Sequence, residues 1–125
     1  MSTLVIDTIQ GKTTAGSINV RGEGSNNTNL QQGLAKVWVF TTDNVITDSF
    51  NTSSSTDNGV GHYTITLSSA MSDANFAVVA TVNENNNYIL GNRERDANSY
   101  GLRIKDDGGT QQDANTGSVA HGDLA

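Results

Sequence analysis

The sequence predicts an all-β protein: a small antiparallel β-sandwich of about seven or eight short strands, preceded by an extended N-terminal arm. Asn, Thr, Ser and Gly supply 55 of the 125 residues, a composition typical of strands and turns rather than of helices. Short apolar segments recur at the spacing of roughly 8–12 residues that is typical of sandwiches and barrels. Only 34% of the residues are hydrophobic, which is low for a single chain and suggests that partner subunits complete the burial.

Residues 1–33 are predicted to be an attachment or oligomerisation arm. Two apolar segments, 4–9 and 17–20, are bounded by turn-forming residues, so we expect both to be strands. Two strands alone are marginally stable in water, so the arm should be flexible or should pair with another chain. The candidate anchor residues are Leu4, Val5, Ile6 and Ile9.

Residues 34–125 are predicted to form the sandwich. The segment 36–41 is apolar on both faces and suits a central strand, the segment 57–59 contains the Asn-Gly signal of a hairpin, and 62–67 alternates as a half-buried strand does. The other predicted strands are 45–50, 76–82, 88–90, 100–105 and 118–120, with a single helical turn or a β-turn at 68–74. The aromatic residues expected in the core are Trp38, Phe40, Tyr63 and Phe76.

Charge and composition exclude several classes of protein. Thirteen acidic against seven basic residues give a net charge of −6, which argues against a protein that follows nucleic-acid phosphates. The absence of Cys excludes disulfide frameworks, Cys-ligated zinc and thiol catalysis. No apolar run approaches the ~18 residues of a membrane span. The N-terminal residues lack a basic start and a long apolar stretch, so we expect no signal peptide.

The polar clusters give no positive indication of catalysis, and we expect no enzyme, no cofactor and no metal. The segment Asp106–Thr110 superficially suggests a calcium loop, but it lacks the alternating ligands of an EF-hand and is more naturally a hairpin turn. A weak cation site there remains the alternative. No pair of carboxylates has the pattern of a glycosidase, and His62 and His121 have no ligand-spaced neighbours.

One surface segment is a candidate for ligand or subunit contact. Tyr88 and Tyr100 flank the polar segment 91–99, which is rich in Arg, Asn and Asp. Aromatic faces and planar polar groups suit glycans, but the same composition is typical of an intersubunit ion-pairing surface or of a solvated loop. The candidate contact residues are Tyr88, Asn92, Arg93, Arg95 and Tyr100.

Several motifs in one order resemble a β-rich module of tail-fibre and other exterior structural proteins of tailed bacteriophages, notably those that infect marine cyanobacteria. The start of the chain, Leu4–Thr13, is also similar to the start of such proteins, and the likeness covers most of residues 1–82. Toward the C-terminus His121 stands where that module often carries an aromatic residue. The motifs that carry the resemblance are Gly33–Phe40, Ile46–Asn51, Ser54–Gly59, Gly61–Thr64 and Ala70–Val78.

The resemblance implies a non-enzymatic virion structural protein, a short exterior tail fibre that is a homo-oligomer, with a trimer expected. Residues 1–33 would bind other virion proteins, and residues 34–125 would contact the host surface, including its glycans. The protein would be made in the host cytoplasm and located on the virion exterior, with no nucleic-acid partner and no membrane insertion. The alternatives are a capsid decoration or head-fibre protein and, third, a carbohydrate-binding module.

Overall fold

The computed structural model describes residues 3–12, 17–21, 24–84 and 86–125. The chain divides into two compact units, Met1–Leu34 and Ala35–Ala125. The strands are β1 (Asn19–Arg21), β2 (Asn27–Asn29), β3 (Val37–Thr42), β4 (Val45–Phe50), β5 (Thr52–Asp57), β6 (His62–Leu67), β7 (Ala77–Val82), β8 (Tyr88–Asp96), β9 (Ser99–Asp106) and β10 (Thr116–His121), with one helical turn, α1 (Leu30–Gly33). None of the described helices could cross a membrane.

The first unit contains a small antiparallel ribbon of β1 and β2, in which Val20 pairs with Thr28. The segment 17–20 is therefore a strand only from Asn19 onward. The predicted strand at 4–9 is wrong, because residues 3–12 form no strand in the structure. Their apolar side chains favour an extended strand, but within the described ranges no backbone segment pairs with residues 3–12, and strand formation requires such a partner.

The second unit is an antiparallel sandwich, as the sequence predicts. Sheet 1 has the strand order β4-β3-β10-β7, and sheet 2 has the order β5-β6-β9-β8. Hairpins join β3 to β4, β5 to β6 and β8 to β9, whereas the other connections pass from one sheet to the other. β10 completes sheet 1 by pairing with both β3 and β7.

Asn and Asp residues set the sharpest turns of the sandwich. Asp43 and Asn44 connect β3 to β4 with φ angles of 45° and 67°, the two positive values that a two-residue type I′ turn requires. Asn51, with φ of 56°, is the corner where the chain leaves sheet 1 for sheet 2. Its side chain accepts from the Ser69 amide at 2.6 Å and donates to the Lys36 carbonyl at 3.1 Å.

The core lies between the two sheets, and its strand residues come from the inner faces of β3, β6, β7, β9 and β10. Its buried hydroxyl groups are paired, as buried polar groups require: Thr41 Oγ1 lies 2.8 Å from Thr116 Oγ1, and Tyr100 OH lies 2.7 Å from Ser118 Oγ. The main hydrophobic cluster contains Val37, Val39, Ile65, Leu67, Met71, Phe76, Val78, Tyr100, Leu102 and Ala120, and a smaller one contains Tyr63, Ile104 and Ala114.

Two of the four aromatic residues expected in the core lie elsewhere. Tyr63 and Phe76 are buried, but the expectation for Trp38 and Phe40 is wrong. Alternation along β3 turns Val37 and Val39 toward the core and leaves the two aromatic residues on the outer face of sheet 1. The strand is central in its sheet, and its second apolar face is left open.

Candidate functional site

The structure separates the five residues predicted for ligand or subunit contact into different environments. Tyr100 is fully buried on the inner face of β9, in edge-to-face contact with Phe76 at a ring-centroid distance of 6.3 Å. Burial raises the pKa of its hydroxyl to about 12. Tyr88 is half-buried at the start of β8, where its hydroxyl accepts a bond from Asn86 Nδ2 at 3.1 Å. The two tyrosines therefore do not line one surface.

Asn92 and Arg95 hold the two sheets together at one edge. Asn92 Nδ2 donates to the Val78 carbonyl at 2.7 Å, and Arg95 Nη1 donates to the Phe76 carbonyl at 2.7 Å. Both acceptors lie in or just before β7, the edge strand of sheet 1. Side chains of sheet 2 therefore provide hydrogen bonds to carbonyl groups at the edge of sheet 1. Arg93 is exposed, and in the described part of the chain it pairs with no carboxylate.

The four candidate anchor residues of the arm are all exposed. Leu4 and Val5 are 79% and 87% exposed, and Ile6 and Ile9 are exposed as well. Four large aliphatic side chains within six positions give this segment more apolar surface than a solvated loop normally presents.

The outer face of sheet 1 carries an apolar row that crosses all four strands. Phe50 of β4 pairs with Trp38 of β3. Trp38 also pairs with Val119 of β10, and Val119 pairs in turn with Val79 of β7. Phe50, Trp38 and Val79 are 53%, 39% and 66% exposed. Phe40 lies in the next row, paired with Gly117. We call the surface formed by these five apolar side chains the apolar face.

The outer face of sheet 2 has the opposite chemistry. His62 of β6 lies directly across from Arg103 of β9, and Lys105 follows two residues later on the same face. These side chains line an open depression of about 690 Å³, which we call the basic depression. Its lining consists of Asn58, Gly59, Val60, His62, Arg103, Lys105, Gly109, Thr110 and Gln111.

Hydrogen bonds fix the side chains at the floor of the basic depression. Arg103 Nη1 donates to Gln111 Oε1 at 3.0 Å, and Arg103 Nη2 lies 3.4 Å from His62 Nδ1. Because a guanidinium can only donate, Nδ1 of His62 accepts and the ring proton lies on Nε2. That nitrogen is 3.2 Å from Glu94 Oε2. Gln111 is held in turn by its bond to the Val60 carbonyl at 2.9 Å.

Comparison with protein-family models, curated proteins and solved structures finds no match to this chain.

The sequence contains signals for both surfaces, but in separate segments. Alternation places Arg103 and Lys105 opposite Tyr100, Leu102 and Ile104, so their outward direction is predictable. Their meeting with His62 depends on the register of β6 against β9, which the sequence does not reveal. The apolar row likewise joins residues from four strands that are distant along the chain.

The segment Asp106–Thr110 is a turn, as the sequence favours. The Asp106 carboxylate accepts the Thr110 amide at 2.8 Å and Gln112 Nε2 at 3.1 Å. These bonds lower the pKa of this exposed carboxyl, with the Thr110 amide as the largest cause. Among the described residues no three His, Asp or Glu side chains are grouped so as to hold a metal ion.

Proposed function

We propose that this chain is a non-enzymatic structural subunit of the exterior of a tailed-phage virion, a short fibre that assembles as a homotrimer and attaches to the host surface. The observation that carries the proposal is the apolar face, an uncovered row of Phe50, Trp38, Val119 and Val79 across a whole sheet. A single copy leaves this row in water, and a second copy of the same chain is the partner that we propose for it. The resemblance of residues 1–82 to exterior phage proteins supports the virion setting.

The dimensions of sheet 1 support association of several copies. Four strands about 4.8 Å apart, with six residues rising about 3.3 Å each, give its whole outer face an area of roughly 19 by 20 Å, or about 400 Å². The apolar face is the part of this area that excludes Thr42, Asp48 and Thr81. In a trimer, three such faces form the sides of an equilateral triangle of about 19 Å, and each face lies about 5.5 Å from the central axis. This distance is close to half of the ~10 Å spacing between stacked sheets, at which side chains fill the gap. Three copies can therefore enclose their apolar faces around a three-fold axis without a central channel.

The arm supports the same proposal. A stable interface takes about 800 Å² from each partner, roughly twice the area of the whole outer face of sheet 1. The exposed side chains of Leu4, Val5, Ile6 and Ile9 are a second apolar surface, and we propose that they attach the subunit to its neighbours or to another virion protein. Burial of the two surfaces against neighbouring subunits would add to the thin core that a hydrophobic fraction of 34% allows.

The mass of the purified protein in solution tests the assembly. Sedimentation velocity at about 50 µM, well above micromolar dissociation constants, should give the mass of three 13.2 kDa chains. The double variant Phe50→Ser/Val79→Ser should give the mass of one folded chain. Ile89→Ser, which removes an exposed apolar residue from sheet 2, is the control and should keep the oligomer. A wild-type monomer would refute the assembly.

Gold-labelled antibody on particles of a phage that encodes this chain tests the location. Label at the tail or baseplate is the expected result. Label spread over the head would refute the tail fibre and favour a decoration protein that stabilises the shell. Particles without label would refute a virion role.

A further inference from the structure

The basic depression is a local excess of positive charge on an acidic protein. The chain has a net charge of −6, yet Arg103 and Lys105 lie side by side, and within the described residues neither has a carboxylate within 4.0 Å. Two carboxylates beside the depression have other partners: Glu94 contacts His62 at its floor, and Asp57 accepts the Gly59 amide at 2.8 Å. The positive charge of the depression is therefore available to a ligand.

Arg103 is held in place without being neutralised. Its two terminal nitrogens contact only neutral acceptors, Gln111 Oε1 and His62 Nδ1. Its Nε is buried and has no hydrogen-bond partner in the described part of the structure. A guanidinium matches carboxylate and sulfate groups better than it matches neutral acceptors, because a charged acceptor forms shorter and stronger hydrogen bonds.

The backbone around the depression is fixed before any ligand binds. Gly61 donates to Asp113 Oδ1 at 2.7 Å, and its carbonyl accepts the Ile104 amide at 2.8 Å. Gln112 bonds the Ile104 carbonyl at 3.3 Å, which connects the segment that carries Gln111 to β9. Binding therefore needs little ordering of the protein, which favours affinity.

We propose that the basic depression binds the anionic group, a carboxylate or a sulfate ester, of an acidic saccharide. Arg103 and Lys105 contact the anionic oxygens, while Asn58, Thr110 and Gln111 offer amide and hydroxyl groups to the sugar hydroxyls. The depression is open, so it accepts one unit within a longer chain as readily as a free end. This proposal rests on the proposed function in one respect only, namely that the saccharide comes from the host surface. The charge and the geometry of the depression do not depend on host attachment.

Other anionic polymers fit this site less well. Base recognition in single-stranded nucleic acids relies on aromatic stacking, and the side chains that line the depression include no Phe, Trp or Tyr. An acidic peptide offers carboxylates but lacks the ring hydroxyls that would use the neutral polar rim, so we include it as an outcome of the test.

The test measures binding of the full-length protein to immobilised polygalacturonate, dextran sulfate, neutral dextran and polyglutamate at about 0.15 M salt, where unspecific long-range attraction is largely screened. We expect binding to the carboxylated or the sulfated saccharide, which identifies the preferred group, and none to neutral dextran. Arg103→Gln/Lys105→Gln should weaken this binding about tenfold or more, since it removes both cations. The control is Lys12→Gln/Arg21→Gln, which makes the same change of charge in the first unit and should bind like wild type.

Three results would overturn the proposal: binding to neither acidic saccharide, equal losses in the site and control variants, or a preference for polyglutamate. Because Arg103 is partly buried, Lys105→Gln alone is a second variant that keeps the fold, and it should also weaken binding. Shifts of the His62, Arg103 and Gln111 amide resonances by sodium galacturonate, but not by galactose, would support the location. Sedimentation of the same samples separates the two proposals, because a monomer that binds acidic saccharides refutes the assembly alone.

Discussion

Gly61 is the residue at which the backbone of the sandwich leaves the least room. Its φ is +65°, and a Cβ built there would lie 2.5 Å from the Ile104 carbonyl oxygen and 2.8 Å from the Gln112 amide nitrogen. All the nearest atoms are backbone, so no side-chain movement relieves the contact. We predict that Gly61→Ala lowers the free energy of unfolding by about 2–4 kcal/mol, as expected for a strained and overpacked position, measured by urea denaturation.

Gly91 is the matched control for that substitution. It lies in β8, has no positive φ, and nothing lies within 4 Å of an added Cβ. Gly91→Ala should therefore change the free energy of unfolding by no more than about 0.5 kcal/mol. Equal effects at the two glycines would show that the close approach at Gly61 does not constrain the fold.

At the scale of residues, strand alternation predicts side-chain direction well where one face is polar. Tyr63 and Ile65 are buried and His62 faces outward, as the pattern of β6 predicts. The pattern fails at Trp38, because β3 is apolar on both faces and the period of two does not tell which face the protein covers. Side-chain volume is also a poor guide to burial in β3, since the smaller side chains of Val37 and Val39 occupy the core positions.

At the scale of elements, β8 connects the sheets as well as extending one of them. Arg95 bonds the carbonyl of Phe76 from the opposite sheet. We predict that Arg95→Ala lowers the free energy of unfolding by about 1–3 kcal/mol, the range for a hydrogen bond from a charged group. Hydrogen exchange of the β7 amides should accelerate at the same time, because this edge strand loses a contact to sheet 2.

Arg93, two residues earlier, provides the control. It has the same side chain on the same strand and is exposed like Arg95, but among the described residues it neither bonds sheet 1 nor pairs with a carboxylate. Arg93→Ala should leave both the stability, within about 0.5 kcal/mol, and the exchange of β7 unchanged. If both variants behave alike, the Arg95 contact does not hold the sheets together.

The elements that the sequence does not reveal share a physical cause. Thr52–Asp57 forms β5, yet its Ser and Thr residues lack the apolar alternation that marks a half-buried strand. Tyr88–Asp96 continues as β8 through a segment that is polar because the outer face of sheet 2 is exposed. In both cases backbone pairing with a neighbouring strand outweighs local composition. The segment 4–9 shows the converse, a strand-like composition with no partner strand among the residues that the structure describes.

At the scale of the whole molecule, the two outer faces of the sandwich differ in chemistry. Sheet 1 presents the apolar face, and sheet 2 presents Arg103, Lys105 and His62. Each surface gathers residues that lie on different strands, so the sequence supplies the side chains but not their juxtaposition, which the register decides. A subunit that assembles through one face and binds through the other keeps its ligand site open in the oligomer.

Trp38 makes the proposed assembly observable, because it is the only tryptophan of the chain and lies within the apolar row. The whole outer face of sheet 1 supplies only about half of the area of a standard interface, so we expect a reversible oligomer that dissociates in the micromolar range. On dilution Trp38 gains contact with water, and its fluorescence emission should shift to longer wavelengths with the same midpoint as the loss of mass. In Phe50→Ser/Val79→Ser the emission should already lie at the longer wavelength and should not change with concentration. A fall in mass with constant wild-type emission would place the contact between copies away from the apolar face.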